Sequence, residues 1–471
     1  MRNFPKLLFS LNFLNLALIA AQVAAIVFLC LYIPSFLPVA AALMIIWLLS
    51  AVAACVLFAK KGDAEVKCAW FVLIAALPVA GALIYFFASA GKTRNGILKL
   101  KGGNTANGLA RAANLLCGSA QVGYDYAEYF SSGADFFKNA TQAIAAAKLS
   151  VYVEFFIINR GKIFNDFERA LKSAAENGAE IKIIVDGLGS AFRLRKKEIK
   201  RLKALGAEIK IFHRISPVPR ARLNVRDHRK IIAVDGKAAF TGGFNLADEY
   251  ANLKSPFGFW KDSGIAIYGA AAKVFEGMFL SLYNGSHETE VPASGKFNCL
   301  PFYDSPYTRE FCEEAYLYAI ACARERVHIM TPYFCPSERL AAALVFAARR
   351  GVDVRIILPH IPDKKYAFEI SKSFARELSE SGCKFYEFTP GFMHAKSMIT
   401  DEKAFLGSYN FDYRSTHYNY ECGVMFSDSM TDKAERDFAD CLALSSEFSE
   451  GKISLFRKMY RAVLKLFAPL I

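Results

Sequence analysis

The sequence predicts an α/β protein made of two pseudo-symmetric α/β modules that share one active site, preceded by N-terminal transmembrane helices. Three observations carry this expectation. Residues 7–33 and 37–59 are nearly uncharged apolar runs, and a bilayer-spanning helix needs only about 20 such residues. Beyond them, β-rich and helix-forming segments alternate. Finally, nearly the same stretch occurs twice, as RDHRKIIAVDGKAAFTGGFN at 226–245 and FMHAKSMITDEKAFLGSYN at 392–410. A chain of 471 residues exceeds what one core organises and suits two modules with an appendage.

The N-terminal runs account for much of the 54% apolar content. A third run, 68–90, is interrupted by Pro78, Gly81 and Tyr85, so it is expected to span, re-enter or lie in the interface. Arg2 and Lys6 precede the first run, no charge lies near Pro34 between the runs, and Lys60, Lys61 and Lys67 follow the second. By the positive-inside rule the N-terminus and residues 60–67 are cytoplasmic. Lys92, Arg94, Lys99 and Lys101 follow the third run, which favours a re-entrant or interfacial segment and a cytoplasmic main body. Eleven scattered cysteines without a C-x-x-C pair argue against structural zinc and a disulfide framework, and fit a reducing compartment.

A net charge of +14 suits nucleic acid or an anionic membrane surface, and the apolar runs decide for the membrane surface. The end of the chain agrees. In ISLFRKMYRAVLKLFAPLI, Arg457, Lys458, Arg461 and Lys465 interleave with bulky apolar residues at helical intervals, as in an interfacial amphipathic helix. No nucleic-acid partner is expected, and nothing in the sequence specifies an oligomeric state.

The duplication reaches beyond the two motifs. KLSVYVEFFII, ALKSAAENGAEIKIIVDGLG and LGAEIKIFH precede the first; RERVHIMTPYF, ALVFAARRGVDVRIILPHIPD and SGCKFYEFTPG precede the second. Each half therefore reads as parallel βαβ units followed by a hairpin, and each ends alike, in WKDSGIAIYG and YECGVMFSD. The divisions expected are 1–91 for the membrane anchor, 92–293 and 294–450 for the modules, and 451–471 for the basic interface helix. One departure stands out: a basic insertion with Pro217, Pro219, Arg220 and Arg222 precedes the first motif and has no counterpart before the second.

Both copies contain H-x-K-x-x-x-x-D: His228, Lys230 and Asp235, then His394, Lys396 and Asp401. Residues two apart on a strand share a face, so each copy presents an imidazole beside an ammonium. Small-residue turns and asparagines follow, Gly243 and Asn245 in the first copy and Ser408 and Asn410 in the second. Two imidazoles suit a double displacement on a phosphodiester, one attacking phosphorus while the other protonates the departing alcohol and deprotonates the incoming one. The lysines and asparagines would bind the nonbridging oxygens. Asp262 and Glu421, at the start of matching strands, would each hold an imidazole's other nitrogen. This chemistry calls for no metal and no cofactor, and neither a serine or cysteine nucleophile elbow nor a phosphate-binding glycine loop is evident.

These residues resemble the signature of the phospholipase D superfamily. NVRDHRKIIAVDGKAAFTGGFNLADEY with WKD, then TPYF, then GFMHAKSMITDEKAFLGSYNFDYRS, are similar to bacterial cardiolipin synthases of that type over roughly residues 68–471. The resemblance implies phospholipase D-like modules and transfer of a phosphatidyl group from one phosphatidylglycerol to another, releasing glycerol, at the bacterial plasma membrane. It implies His228 as nucleophile and His394 as acid and base, structural roles for Asp235 and Asp401, phosphate binding by Lys230, Lys396, Asn245 and Asn410, and histidine support by Asp262 and Glu421. The family pattern has two N-terminal apolar segments where this chain has three, which leaves the topology open. A hydrolytic phospholipase D and a superfamily nuclease are the rival enzymes.

Overall fold

The computed structural model describes residues 27–28, 37–59, 64–77, 81–82, 84–85, 96–105, 108–214, 225–292, 295–306 and 311–470. Two compact units divide the chain, 1–87 and 88–471. In the first, helix α1 (Leu37–Ala59) has 23 residues and no charge at its ends, and α2 (Ala64–Ala76) packs on it through Phe58 and Phe71. Taken over their described positions, no helix is long and apolar enough to cross a membrane; some positions of α1 lie outside that description. The expected span at 7–33 falls almost entirely outside the described residues. At the third run, the helix begins at Ala64, includes Glu65 and Lys67, and ends at Ala76.

The second unit holds the modules. In chain order, the strands of the first sheet are β1 (Tyr126–Phe130), β2 (Ser150–Phe155), β3 (Glu180–Asp186), β4 (Glu208–Phe212), β5 (Lys230–Val234), β6 (Ala238–Gly242) and β7 (Gly264–Tyr268). Their spatial order is β1-β7-β6-β5-β2-β3-β4. The second sheet contains β8 (Phe297–Asp304), β9 (Arg326–Met330), β10 (Asp353–Pro359), β11 (Lys384–Phe388), β12 (Ser397–Thr400), β13 (Ala404–Gly407) and β14 (Asn419–Phe426), in the order β8-β14-β13-β12-β9-β10-β11. The two orders match strand for strand. Only β2-β3-β4 and β9-β10-β11 run parallel, and every other neighbour in these series is antiparallel. The parallel βαβ units and the hairpin expected in each half are both present, and together they make each sheet mixed, because a hairpin reverses the strand.

Local sequence explains the elements. Helix α3 (Lys162–Glu176) buries Ile163, Phe164, Phe167, Ala170, Leu171 and Ala174, a single stripe at helical spacing. Helix α4 (Ala270–Asn284) buries nine residues across its faces, since it packs between strands of both halves. Strands β5, β6, β12, β13 and β14 are buried along their whole length, as expected for a sheet covered on both faces. The first hairpin turns through Asp235 and Gly236 at φ of 54° and 62°, with Lys237 N–H donating to Val234 O, the two-residue turn that favours Asp-Gly. The halves also exchange short strands: Val122–Tyr124 extends the second sheet beside β8, and Arg226–Asp227 pairs with the start of β14.

Candidate active site

His228 and His394 lie in extended residues just ahead of β5 and β12 rather than on the strands themselves. Each lysine folds back beside its histidine: Lys230 Nζ donates to the His228 carbonyl at 2.5 Å, and Lys396 Nζ to that of His394 at 2.6 Å. Lys396 Nζ also stands 3.0 and 3.3 Å from the ring nitrogens of His394. Aromatic rings wall the imidazoles, Phe156 beside His228 and Tyr250, Trp260 and Phe392 around His394.

The supporting carboxylates cross between halves. His228 Nδ1 donates to Glu421 at 2.9 and 3.0 Å, and His394 Nδ1 shares a hydrogen bond with Asp262 at 2.5 Å. Each histidine is thus oriented by the other module's acid, so neither half completes a site alone. An ionised carboxylate only accepts, which places the proton of His228 on Nδ1 and leaves Nε2 with a free lone pair. Main-chain pairing backs the exchange, with His228 N–H on Tyr420 O and His394 N–H on Lys261 O.

The two carboxylates are not equivalent. Glu421 also accepts from Ser408 Oγ, from Ser415 Oγ at 2.9 Å and from Asn419 Nδ2 at 3.0 Å. Burial pushes its pKa up, but the charges of His228 and Lys230 and the hydrogen bonds from His228 and Ser408 outweigh it and hold the group below the usual range. Asp262 accepts, besides His394, from Ser263 N–H at 2.9 Å, and burial lifts it to about 7 against the pull of Lys396. Burial likewise lowers His228 to about 4, Lys230 to about 7 and Lys396 to about 8, and carries His394 well down with help from Lys396. Gly243 matches the shorter acid: a Cβ there would strike the Asp262 carboxylate, whereas the equivalent Ser408 uses its hydroxyl to hold the longer Glu421.

Asp235 and Asp401 are not brought to the site. Each caps the far end of its strand, roughly 15 Å along the chain from its lysine. Asp235 accepts from the N–H groups of Lys148, Leu149 and Ser150, and Asp401 from those of Arg324, Glu325 and Arg326. Asn245 accepts from Ile157 N–H at 3.0 Å and donates to Tyr250 Oη at 2.6 Å; Asn410 is buried, with its Oδ1 lacking a protein partner. The insertion with Pro217, Pro219, Arg220 and Arg222 lies outside the described residues. Among the described residues, no group of three or more His, Cys, Asp or Glu side chains is arranged to hold a metal ion.

One feature beneath the site has no motif. Arg229, Glu154 and Asp227 are fully buried, with Arg229 Nε on Glu154 at 2.6 Å and 3.7 Å from Asp227, and Asp186 accepts from Asp227 N–H. Burial and the neighbouring Glu154 push Asp227 well up. The equivalent positions in the second half are Ala395, Met330, Met393 and Pro359, by the matched registers of the hairpins and strands. The twofold repeat is broken chemically directly under His228.

A duplicated mixed-sheet α/β unit that crosses two histidine–carboxylate pairs over two lysines defines a class, the two-histidine enzymes of phosphodiester chemistry. The family model described as "Cardiolipin synthase, PLD-like domain" matches residues 140–278 and 316–442, and the chain belongs to this phospholipase D-like family. A cardiolipin synthase of Halalkalibacterium halodurans is 31% identical over 78% of this chain and 80% of its own. One from Clostridium perfringens is 32% identical over 73% and 76%. An uncharacterized protein of Streptococcus mutans is 36% identical over 73% and 78%. The solved phosphatidylserine synthase of Haemophilus influenzae shares the fold, with a TM-score of 0.58 at 13% identity over 77% of this chain and 98% of its own.

Proposed function

We propose that this phospholipase D-superfamily enzyme is a membrane-bound phosphatidyltransferase that makes cardiolipin and glycerol from two phosphatidylglycerol molecules. The observation that carries the reading is the crossed pair of supported histidines in one buried, lysine-lined site. Relatives bearing the cardiolipin synthase name support the choice of substrate.

His228 Nε2 attacks phosphorus, its Nδ1 proton held by Glu421. The P–O bond to the headgroup glycerol breaks, and the departing oxygen takes a proton from His394, which shares one with Asp262. The ionised Glu421 then faces the positive phosphohistidine ring, while an Asp262 near 7 can take up and return a proton at working pH. A headgroup hydroxyl of a second phosphatidylglycerol gives its proton to His394 and attacks phosphorus. The P–N bond breaks and cardiolipin forms. Lys230 and Lys396, with Asn245 and Asn410, bind the nonbridging oxygens, while Gly243 and Ser408 set their carboxylates in place.

Helix α1 and residues 7–33 are read as transmembrane spans of a multi-pass plasma-membrane protein with cytoplasmic modules; α1 is about 35 Å long against a hydrocarbon core of about 30 Å. The test is to follow labelled phosphatidylglycerol with the purified, detergent-solubilised protein. Cardiolipin with one glycerol per turnover supports the reading. Phosphatidic acid as the sole lipid product means water is the acceptor and refutes the transferase.

A further inference from the structure

The C-terminal helix Leu455–Phe467 was expected to be an interfacial amphipathic helix, and three of its basic residues turn inward. Arg461 is only 3% exposed and donates from Nε to Glu369 at 2.8 Å and from both Nη groups to Glu450 at 2.6 Å. Arg457 forks onto Glu369 at 2.6 and 3.0 Å, and Lys465 pairs with Glu377 while lying over the Phe374 ring. Glu369 and Glu377 belong to the helix Lys365–Ser379, so three cations at i, i+4 and i+8 clamp the C-terminal helix to the second module by its charged face.

The opposite face carries Leu455, Phe456, Met459, Tyr460, Val463 and Leu466, all exposed, with Leu455 at 73% and Phe456 at 81%. These positions fall on one stripe of a 3.6-residue helix. Exposure of six large apolar side chains on one helix is more than scattered surface hydrophobicity explains.

We infer that this stripe is a lipid-facing surface that inserts into the bilayer, with the helix held in place by the inward ion pairs. Charge decides the occupant. The cations of the inward face are already matched by the protein's own carboxylates, and the exposed cations are Lys458 on the helix and Lys452 just ahead of it, which suit anionic headgroups flanking an inserted apolar face. Attachment is therefore mainly hydrophobic. The inference rests on the lipid-transferase reading and deepens it by naming how bilayer lipid is presented.

The test uses the full chain in phosphatidylglycerol vesicles, with a photoreactive benzophenone amino acid in place of Phe456. A protein–lipid adduct is expected on irradiation. A cross-linked dimer, or no adduct, overturns the inference. Alongside it, a variant combining Phe456→Ser, Met459→Ser and Val463→Ser is assayed on vesicle lipid and on short-chain phosphatidylglycerol below its micelle concentration. About a tenfold rise in half-saturating vesicle lipid is expected, with short-chain turnover unchanged. Equal behaviour of variant and parent on vesicles, or equal loss on both substrates, overturns it. If the parent turns over neither substrate, the transferase reading fails, while the cross-link still reports on the stripe.

Discussion

Glu421→Gln tests the crossed support directly, because the residue sits in the second half and its effect should fall on a histidine of the first. The substitution keeps shape and presents an NH2 group to His228 Nδ1, which favours the tautomer with its proton on Nε2, where the lone pair is needed. It also removes the counter-charge of the phosphohistidine. At the 2.9 Å contact and an effective dielectric of ~20, that charge pair is worth roughly 6 kcal/mol. At about 1.4 kcal/mol per decade this bounds the loss near 10⁴-fold, the scale seen for an orienting acid in a catalytic triad. The assay is rapid-quench release of headgroup glycerol in the first turnover, with circular dichroism and thermal unfolding to show that the fold survives. A first-turnover rate within tenfold of the parent would refute the reasoning.

Further outcomes follow from the same geometry. His228→Ala and His394→Ala should each abolish transfer by several orders of magnitude with Tm little changed; near-normal turnover in either, measured by lipid chromatography, would end the two-histidine mechanism. Lys230 and Lys396 titrate at about 7 and 8, so both ammoniums are present at lower pH and lost as pH rises through those values. The kcat/KM profile should therefore fall through this range, while bound phosphate retains the protons and moves the alkaline limb of kcat upward; coincident limbs would contradict this. Asp235→Asn and Asp401→Asn weaken three N–H contacts each at the entry of a strand, at a cost of about 1–3 kcal/mol in denaturant unfolding, with KM nearly unchanged. Gly243→Ala should displace the Asp262 carboxylate and cost activity at least about tenfold without global unfolding.

Much of this was legible because the chain repeats itself. Two copies of one hairpin motif fix which residues are equivalent, and His228, Lys230, His394 and Lys396 do meet in one site. The strand directions were less accessible: alternating strands and helices suggest parallel units, and only the hairpin chemistry of VDGK and TDEK reveals the antiparallel half. Asp262 and Glu421 were visible as matching carboxylates, but spacing within a half cannot show that each reaches across to the other half's histidine. The Arg229, Glu154 and Asp227 cluster has no motif; its trace is that charged residues stand where the second copy has Ala395, Met330 and Met393. For the C-terminal helix, periodicity separates basic from apolar residues but says nothing of which way the basic face turns. That is decided by Glu369 and Glu377, which lie 88 to 92 residues away, and by Glu450 on the adjoining segment.

One site from two halves requires His228 to attack and His394 to move the proton. It is tested most directly by rapid quenching with phosphatidylglycerol labelled at phosphorus, followed by digestion and mapping of the acid-labile adduct. Label is expected on the peptide bearing His228, with none in His228→Ala and much slower adduct formation in Glu421→Gln. Label on His394, or no covalent adduct during turnover, would contradict it.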